Sequence, residues 1–442
     1  MSDSDTRIPT GAKERRDLII LGGGLVGMTL ALAAARAGIS SHVIDRADPA
    51  DLVAEGADGR ASAVSTASWN LFCNIGLGKR LEPLGCAIDS IAVTDGMKPG
   101  RIDFQPKPDE GTLGRMYANR DLRIALFEAA KDEPNIAWHV KTEAVRRDRG
   151  PHGVEVELSD GRILTSSLLV AAEGRQSPTR DEAGFSMAKW DYHHRAMVTG
   201  LFHSKPHGGT AWEIFYPAGP FALLPLLDDA QGRHRSALVW TVAEKDAKGV
   251  IAMSDAMFLN EVAEKMHGVL GDIELSAPRM SYPLRFHHAV NVVDERLAVI
   301  GDAAHGMHPI AGQGLNLGLR DVGALVEVLS EGMRLGLEPG DAQLLARYEK
   351  WRSSIRSWSW RRPTRLPACS VFRAACQVPC AVWAWARSSA CRLSSASSWT
   401  RRGACPASFP SFCKAREAGW TSRSELQSKR RWKVISQGVV TP

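Results

Sequence analysis

Three stretches of this chain combine an acidic residue with glycines in a way that suits a phosphorylated ligand. The first is Gly22-Gly23-Gly24-Leu25-Val26-Gly27, with Asp45 following 18 residues after the last glycine. The second is Glu173-Gly174-Arg175. The third is Gly301-Asp302-Ala303, which leads through Pro309 into Gly312-Gln313-Gly314-Leu315-Asn316. Glycines let backbone N–H groups approach a ligand, and a helix starting at such a loop favours negative charge. Asp45 and Asp302 each follow an apolar run, where a carboxylate can accept bonds from ribose or polyol hydroxyls. Arg60 suits a phosphate and equally a solvated helix entry. Asn119 suits a ligand contact and equally an N-cap.

These residues need rigid supports, and the flanking patterns supply them. Asp17 to Leu21 reads as a buried strand, Met28 to Ala37 as a helix stopped by Gly38, and Ser41 to Asp45 as a second strand. That is a βαβ unit with Gly-x-Gly-x-x-Gly at its first turn, the arrangement that holds an ADP moiety. Helices are expected over Thr66–Ile75 and from Asn119 through Leu126. Residues 135–172 read as a meander that closes on the buried strand Leu168–Ala172. Strands are expected over Ala196–Phe202, Thr210–Tyr216, Phe221–Leu226 and Ser236–Val242, with a helix over Asp255–Leu270. An amphipathic helix starts near Asn316, and another covers Asp341–Trp351. The fold class is α/β in two domains: residues 17–185 with 286–352, and a sheet-rich substrate domain over 186–285. Residues 1–16 read as a flexible N-terminus.

Composition divides at the same place as pattern. From Ser353 onward there are 16 Lys and Arg against 2 Asp and Glu; residues 1–352 carry 39 against 47. The body is acidic, so a nucleic-acid reading would rest wholly on the tail. Only Cys73 and Cys86 lie in the body, which reads as reduced and cytoplasmic. No Cys-x-x-Cys pair occurs. Adjacent strand histidines, as in His193-His194 and His287-His288, point to opposite faces, so no metal is expected. No stretch reads as a signal peptide or a membrane span.

Residues 353–442 lose all period. Between Arg352 and Arg416 there is no acidic residue. A shifted reading frame accounts for this. Read one base earlier, permitted codons for Trp358 to Arg365 give Val-Val-Val-Ala-Ala-Thr-Asp-Ala, and those for Trp399 to Ala404 give Met-Asp-Glu-Ala-Arg-Gly. Both look helical. The alternative is a true Arg/Ser-rich disordered tail.

The three glycine sites in this order resemble the class A flavin monooxygenases of the para-hydroxybenzoate hydroxylase fold. Asp58-Gly59-Arg60-Ala61, Gly219-Pro220-Phe221-Ala222-Leu223-Leu224-Pro225-Leu226, Val239-Trp240-Thr241 and His308-Pro309-Ile310-Ala311-Gly312-Gln313-Gly314-Leu315-Asn316 are similar to the ubiquinone-biosynthesis hydroxylases within them. The resemblance covers about residues 17–352 and implies a Rossmann-like FAD-binding domain. FAD would be held by Gly22, Gly24, Gly27, Asp45, Arg60, Asn119, Glu173, Gly174, Gly301, Asp302, Ala303 and Asn316. Pro309, Gly312, Gln313 and Gly314 would border the flavin ring. One departure is Ala172-Glu173-Gly174-Arg175, where the family has Asp in place of Glu. The implied chemistry is aromatic hydroxylation through a flavin C4a-hydroperoxide, using O2 and NAD(P)H or another donor. No side chain stands out as a general base; His305 and His308 suit packing or loop hydrogen bonds. Phe221, Leu223 and Leu224 would line a site for a lipid-like polyprenylphenol, with peripheral contact at the inner face of the membrane and a place in a ubiquinone-biosynthesis complex. Competing readings are a hydroxylase of another aromatic ring, a nicotinamide dehydrogenase with one Rossmann site, a flavin halogenase, and an inactive flavin-binding remnant. The halogenase reading fails on Trp358-Ser359-Trp360 and Trp383-Ala384-Trp385, neither of which is followed by Ile-Pro.

Overall fold

A computed structural model of the chain describes residues 14–48, 51, 53, 60–96, 100–106, 111–307 and 312–359. Its centre is a six-stranded sheet in the spatial order Val293–Asp294, Leu297–Val299, Leu168–Ala171, Leu18–Leu21, Ser41–Ile44, Ile136–His139. All pairs are parallel except the first. Leu18, Ile19 and Ile20 are fully buried, as a central parallel strand covered on both faces requires. The helix Leu25–Arg36 follows directly and packs on the sheet with the long helix Gln313–Arg334. Its Ala31, Ala33, Ala34 and Ala35 are small enough to let these layers approach closely.

The expected meander is only partly present. Ile136–His139 joins the edge of the parallel sheet, pairing with Ser41–Ile44. The antiparallel meander consists of Ala144–Gly150, Gly153–Leu158 and Ile163–Ser166. Its first strand, Ala-Val-Arg-Arg-Asp-Arg-Gly, is too charged to signal itself by periodicity. Glu14 and Arg15, assigned to a flexible N-terminus, form a strand beside Leu164 and Thr165.

A buried histidine pair braces the edge of the parallel sheet. Arg162 donates to His139 Nδ1 at 3.0 Å, His139 Nε2 lies 3.0 Å from His42 Nδ1, and His42 Nε2 lies 3.3 Å from the Glu14 carbonyl. Arginine only donates, so each ring carries its proton on Nε2 and donates a hydrogen bond from it to the next acceptor. Burial lowers both histidines to about 4. In the unfolded chain they titrate near 6.5, so the unfolded state binds protons first as pH falls. Stability is therefore fully present above about pH 6.5 and declines from there to about pH 4. Urea midpoints measured across this range should fall with pH. A His42→Gln, His139→Gln double variant should flatten that dependence; an unchanged slope would rule the pair out as its source.

The second large sheet has nine strands. Met187–His203, Thr210–Tyr216, Gly219–Leu226, His234–Ala243 and Met280–Ala289 form its body. Ser90–Thr94 and Arg101–Phe104 also belong to it, from outside the span 186–285, through parallel pairing of Ser90–Thr94 with Thr210–Ile214. Two helices, Glu244–Ala252 and Asp255–Met266, cover one face. Ser254 caps the second by accepting from Met257 N, the role its side chain suits. A three-stranded sheet of Ala61–Ser65, Cys86–Ile88 and Gly114–Ala118 lies against the other face. The helix Ala342–Ser359 extends past Ser353, and residues 360–442 of the aberrant tail lie outside the described residues.

Candidate active site

Each glycine of the first turn has a separate task. Gly22 has φ +103, and a Cβ there would stand 2.4 Å from the Ala172 carbonyl oxygen. A Cβ on Gly27 would stand 1.9 Å from Gly22 O. These two let the turn fold onto its neighbours. Gly24 has nothing within 4 Å, and it begins the 12-residue helix without a side-chain cap. Uncapped N–H groups at a helix start, with open space before them, are what a pyrophosphate needs. Asp45 Oδ2 accepts from Gly23 N at 2.6 Å, and Oδ1 from Ala47 N at 2.8 Å. The carboxylate thus holds the turn in place at the end of its strand.

The Glu173 turn works differently from expectation. The Glu173 carboxylate accepts from Ser177 Oγ at 2.5 Å and Thr179 Oγ1 at 2.9 Å, and Arg147 stands 3.7 Å away. The longer side chain is turned onto the start of the short helix Pro178–Glu182, so it shapes the turn and presents no free carboxylate. Gly174, at φ +81, has open space before it. Arg180, nearly fully buried, donates to Arg175 O at 3.1 Å and Ala303 O at 3.0 Å, tying this turn to the third.

In the third turn Gly301 has φ +60 and packs against Val26, 3.2 Å from where its Cβ would be. Gly318 meets the same Val26 at 2.6 Å. Val26 therefore locks the first helix start to the long helix. The Asp302 side chain is half exposed, 3.4 Å from Arg175, and its carbonyl accepts from His287 Nε2 at 2.7 Å. His308 and Pro309 lie outside the described residues. Gly312 has φ +61, and a Cβ there would be 2.7 Å from Ala63 Cβ; Gly314 has nothing within 4 Å. Gln313 begins the 22-residue helix.

Asn316 is a clamp. It accepts from Ser65 N at 2.9 Å and Ser68 Oγ at 2.7 Å, and donates to Ala63 O at 2.7 Å and Gly312 O at 2.8 Å. Both N–H groups and both oxygen lone pairs are spent, so the side chain holds the loop and does not serve as a ligand group. Asn119 is the first helical residue; Ala118 is the cap position, which corrects the N-cap reading. Its Oδ1 accepts from Ser62 Oγ at 2.6 Å, and its backbone N donates to Arg60 O. The exposed Arg60 guanidinium lies over the Tyr282 ring at 5.8 Å.

Below this surface lies a group that spacing did not reveal. Asp321, fully buried, accepts from Gly301 N at 2.9 Å and faces His305 Nε2 at 2.7 Å. Arg352 Nε stands 2.5 Å from its other oxygen, a contact of charge more than of hydrogen-bond geometry. Burial alone would raise the Asp321 carboxyl, but Arg352, then His305 and the Gly301 N–H, together hold it below the usual range. His305 thus serves a loop hydrogen bond.

The three substrate candidates do not share a face. Phe221 and Leu223 are buried in the core against Trp240 and the two covering helices. Leu224 points the other way, toward the three-stranded sheet. A run as uniformly apolar as Gly219–Leu226 carries no alternation to show which face is which.

His193 has φ +53 at a register shift in its strand, so the alternation argument does not hold there. Asp191, His193 and Glu244 bring their donor atoms within 4.8 Å of one another at largely exposed positions. Such exposed acidic groups are common without an ion. A cleft of about 410 Å³, lined by Ile251, Asp255, Leu275, Ala277, Pro278 and Arg279, lies beside the covering helices and away from the glycine turns.

Residues 15–359 match the FAD-binding-domain family. The chain is 42% identical over 346 residues to ubiquinone hydroxylase UbiL of Rhodospirillum rubrum, covering 78% of this chain and 79% of that protein. It is 32% identical over 338 residues to 3-demethoxyubiquinol 3-hydroxylase of Escherichia coli, covering 76% and 85%. The solved structure of pqsL, a probable FAD-dependent monooxygenase from Pseudomonas aeruginosa, superposes with a TM-score of 0.66 at 21% identity, covering 78% of this chain and 93% of that one. That likeness carries the fold, and the closer relatives carry the family. With an open helix start at Gly24, an acid at each of two strand ends and a second open helix start at Gly314, this chain belongs to the FAD-binding-domain family of flavin-dependent monooxygenases that includes the ubiquinone hydroxylases.

Proposed function

We propose that the protein hydroxylates the aromatic ring of a polyprenylphenol-type ubiquinone precursor, using FAD, O2 and NAD(P)H or another electron donor. One observation carries this reading: the open glycine at Gly314 lies in the first turn of a helix beside an apolar sheet face. Gly312 meets Ala63, and Ala63 packs in the cluster that includes Leu224 and Leu226 of that sheet. An aromatic ring with an apolar tail fits such a surface, and FAD bound at the glycine turns would supply the oxygen-activating chemistry.

The chain's own residues do the rest. Gly24 and the helix behind it receive the pyrophosphate. Asp302 offers a half-exposed carboxylate to a polyol hydroxyl. The first N–H groups of the Gln313–Arg334 helix would stabilise negative charge on a flavin ring held before them. Asn316 fixes that helix start to the Ala61–Ser65 strand. The names of the relatives, a ubiquinone hydroxylase and a 3-demethoxyubiquinol 3-hydroxylase, support a polyprenylated ring. Among the described residues no helix is long and apolar enough to cross a membrane, which fits access to a lipid substrate by peripheral contact. Association with other ubiquinone-biosynthesis proteins belongs to the same reading.

The test is direct. Purified protein should carry flavin absorbance and, given NAD(P)H and a short-chain prenylphenol, yield a product heavier by one oxygen. Flavin binding with no ring product from any prenylphenol would reject the substrate class. The second reading, a flavin-binding remnant without activity, draws on the match to the family ending at residue 359. Sequencing the gene across residues 350–415 separates a shifted frame from a native tail.

A further inference from the structure

The strand Thr210–Tyr216 sends alternate side chains to opposite faces. Trp212, Ile214 and Tyr216 enter the helix-covered core. Ala211 packs instead with Cys86, Ile88 and Met116, and Glu213 shares its side of the sheet. Register places Glu213 opposite Ala222 and Val93. Ala222 lies opposite Val239, and Val239 opposite Val198. One row across this face therefore reads Val198, Val239, Ala222, Glu213, Val93: four apolar residues and one carboxyl group.

Among the described residues, nothing donates a hydrogen bond to the Glu213 carboxyl and no cation pairs with it. It keeps some accessible surface, yet loss of solvation alone pushes it up to about 7. The carboxyl is therefore half-buried on an apolar face. It lies on the side of the sheet that packs with Ala63, the residue that Gly312 meets. An unpaired carboxyl on an apolar surface is unfavourable for folding, and departures from the local pattern of this kind cluster at functional sites.

We propose that Glu213 accepts a hydrogen bond from a hydroxyl on the substrate ring, and so fixes which ring edge faces the helix start at Gly312–Gly314. This rests on the aromatic-hydroxylase reading above. The apolar row on either side would hold the ring, and the single acceptor would set its rotation.

The experiment uses the flavin-loaded protein and two probes, a short-chain prenylphenol and its methyl ether, titrated against the flavin absorbance. Titrated at about pH 8.5, where the Glu213 carboxyl is ionised, the parent should prefer the phenol by about 10- to 100-fold, the effect of one hydrogen bond to a charged group. Glu213→Leu should bind both probes with the affinity of the ether. Should that variant fail to load flavin, Glu213→Gln decides. It keeps the shape and a neutral acceptor, and should lose roughly half of the preference on a logarithmic scale. An undiminished preference in either flavin-loaded variant overturns the proposal. Equal binding of phenol and ether by the parent also overturns it while leaving the hydroxylase reading intact. A parent that takes up flavin and binds neither probe overturns the hydroxylase reading and the proposal with it.

Discussion

Gly24→Val is expected to give a folded protein that does not retain FAD. Gly24 has φ −70, which any residue adopts, and nothing lies within 4 Å of where its Cβ would be. The added Cβ meets no protein atom beyond its chain neighbours, so secondary structure and melting temperature should stay near those of the parent. It does fill the space in front of the helix start, where phosphate oxygens must come within hydrogen-bond distance of N–H groups. An overpacking penalty of about 3 kcal/mol corresponds to roughly a hundredfold loss of flavin affinity. Gly27→Ala should behave in the opposite way, because its methyl would stand 1.9 Å from Gly22 O and the turn itself must give. Flavin titration followed by thermal melts separates the two outcomes. Full flavin occupancy in Gly24→Val would overturn the placement of the pyrophosphate.

Arg352→Met should destabilise the protein by about 3–5 kcal/mol, the usual effect of removing one partner of a buried ion pair. Asp321 would keep Gly301 N and His305 but lose the Arg352 guanidinium. Because Asp321 also orients Gly301, the loss should reach the flavin: the cofactor should dissociate faster even under conditions where the variant remains folded. Replacing both partners, as Asp321→Asn with Arg352→Met, should recover part of the stability, since no unpaired charge is then left buried. Urea unfolding of the three variants and stopped-flow release of flavin test both statements. A change below about 1 kcal/mol in Arg352→Met would place this pair with exposed ones and refute the account.

What the sequence reveals here follows from how local each signal is. The Gly22–Gly27 turn, its helix and Asp45 were readable because their chemistry lies within one supersecondary unit. The strands at Thr210–Tyr216 and His234–Ala243 were readable by composition. Ser90–Thr94 joins the same sheet only by pairing across more than a hundred residues, and no local pattern announces that. Phe221 and Leu223 were assigned to the substrate because an apolar strand does not show its two faces; the register against Trp240 and Val239 does. Glu213 did leave a trace, a lone acid between Trp212 and Ile214 in a strand that is otherwise almost free of charge. Asp321 and Arg352 left none. Asp321 reads as an ordinary polar position on an amphipathic helix, and Arg352 falls just past the expected end of the next one, until both helices and the Gly301 turn are brought together.

The Asp321 network also orders events in time. Chains fold as they emerge during synthesis, and the parallel sheet has all its strands once residue 299 is made. The Gly301 turn can form then, and the Gln313–Arg334 helix soon after. The carboxylate that steadies that turn still waits for a guanidinium near the end of the family match. A chain that ends before residue 352 would bury this anion without its main counter-charge. The flavin pocket therefore gains its final rigidity only once residue 352 is in place, and a chain cut just short of it has every glycine turn and a weakened floor beneath them.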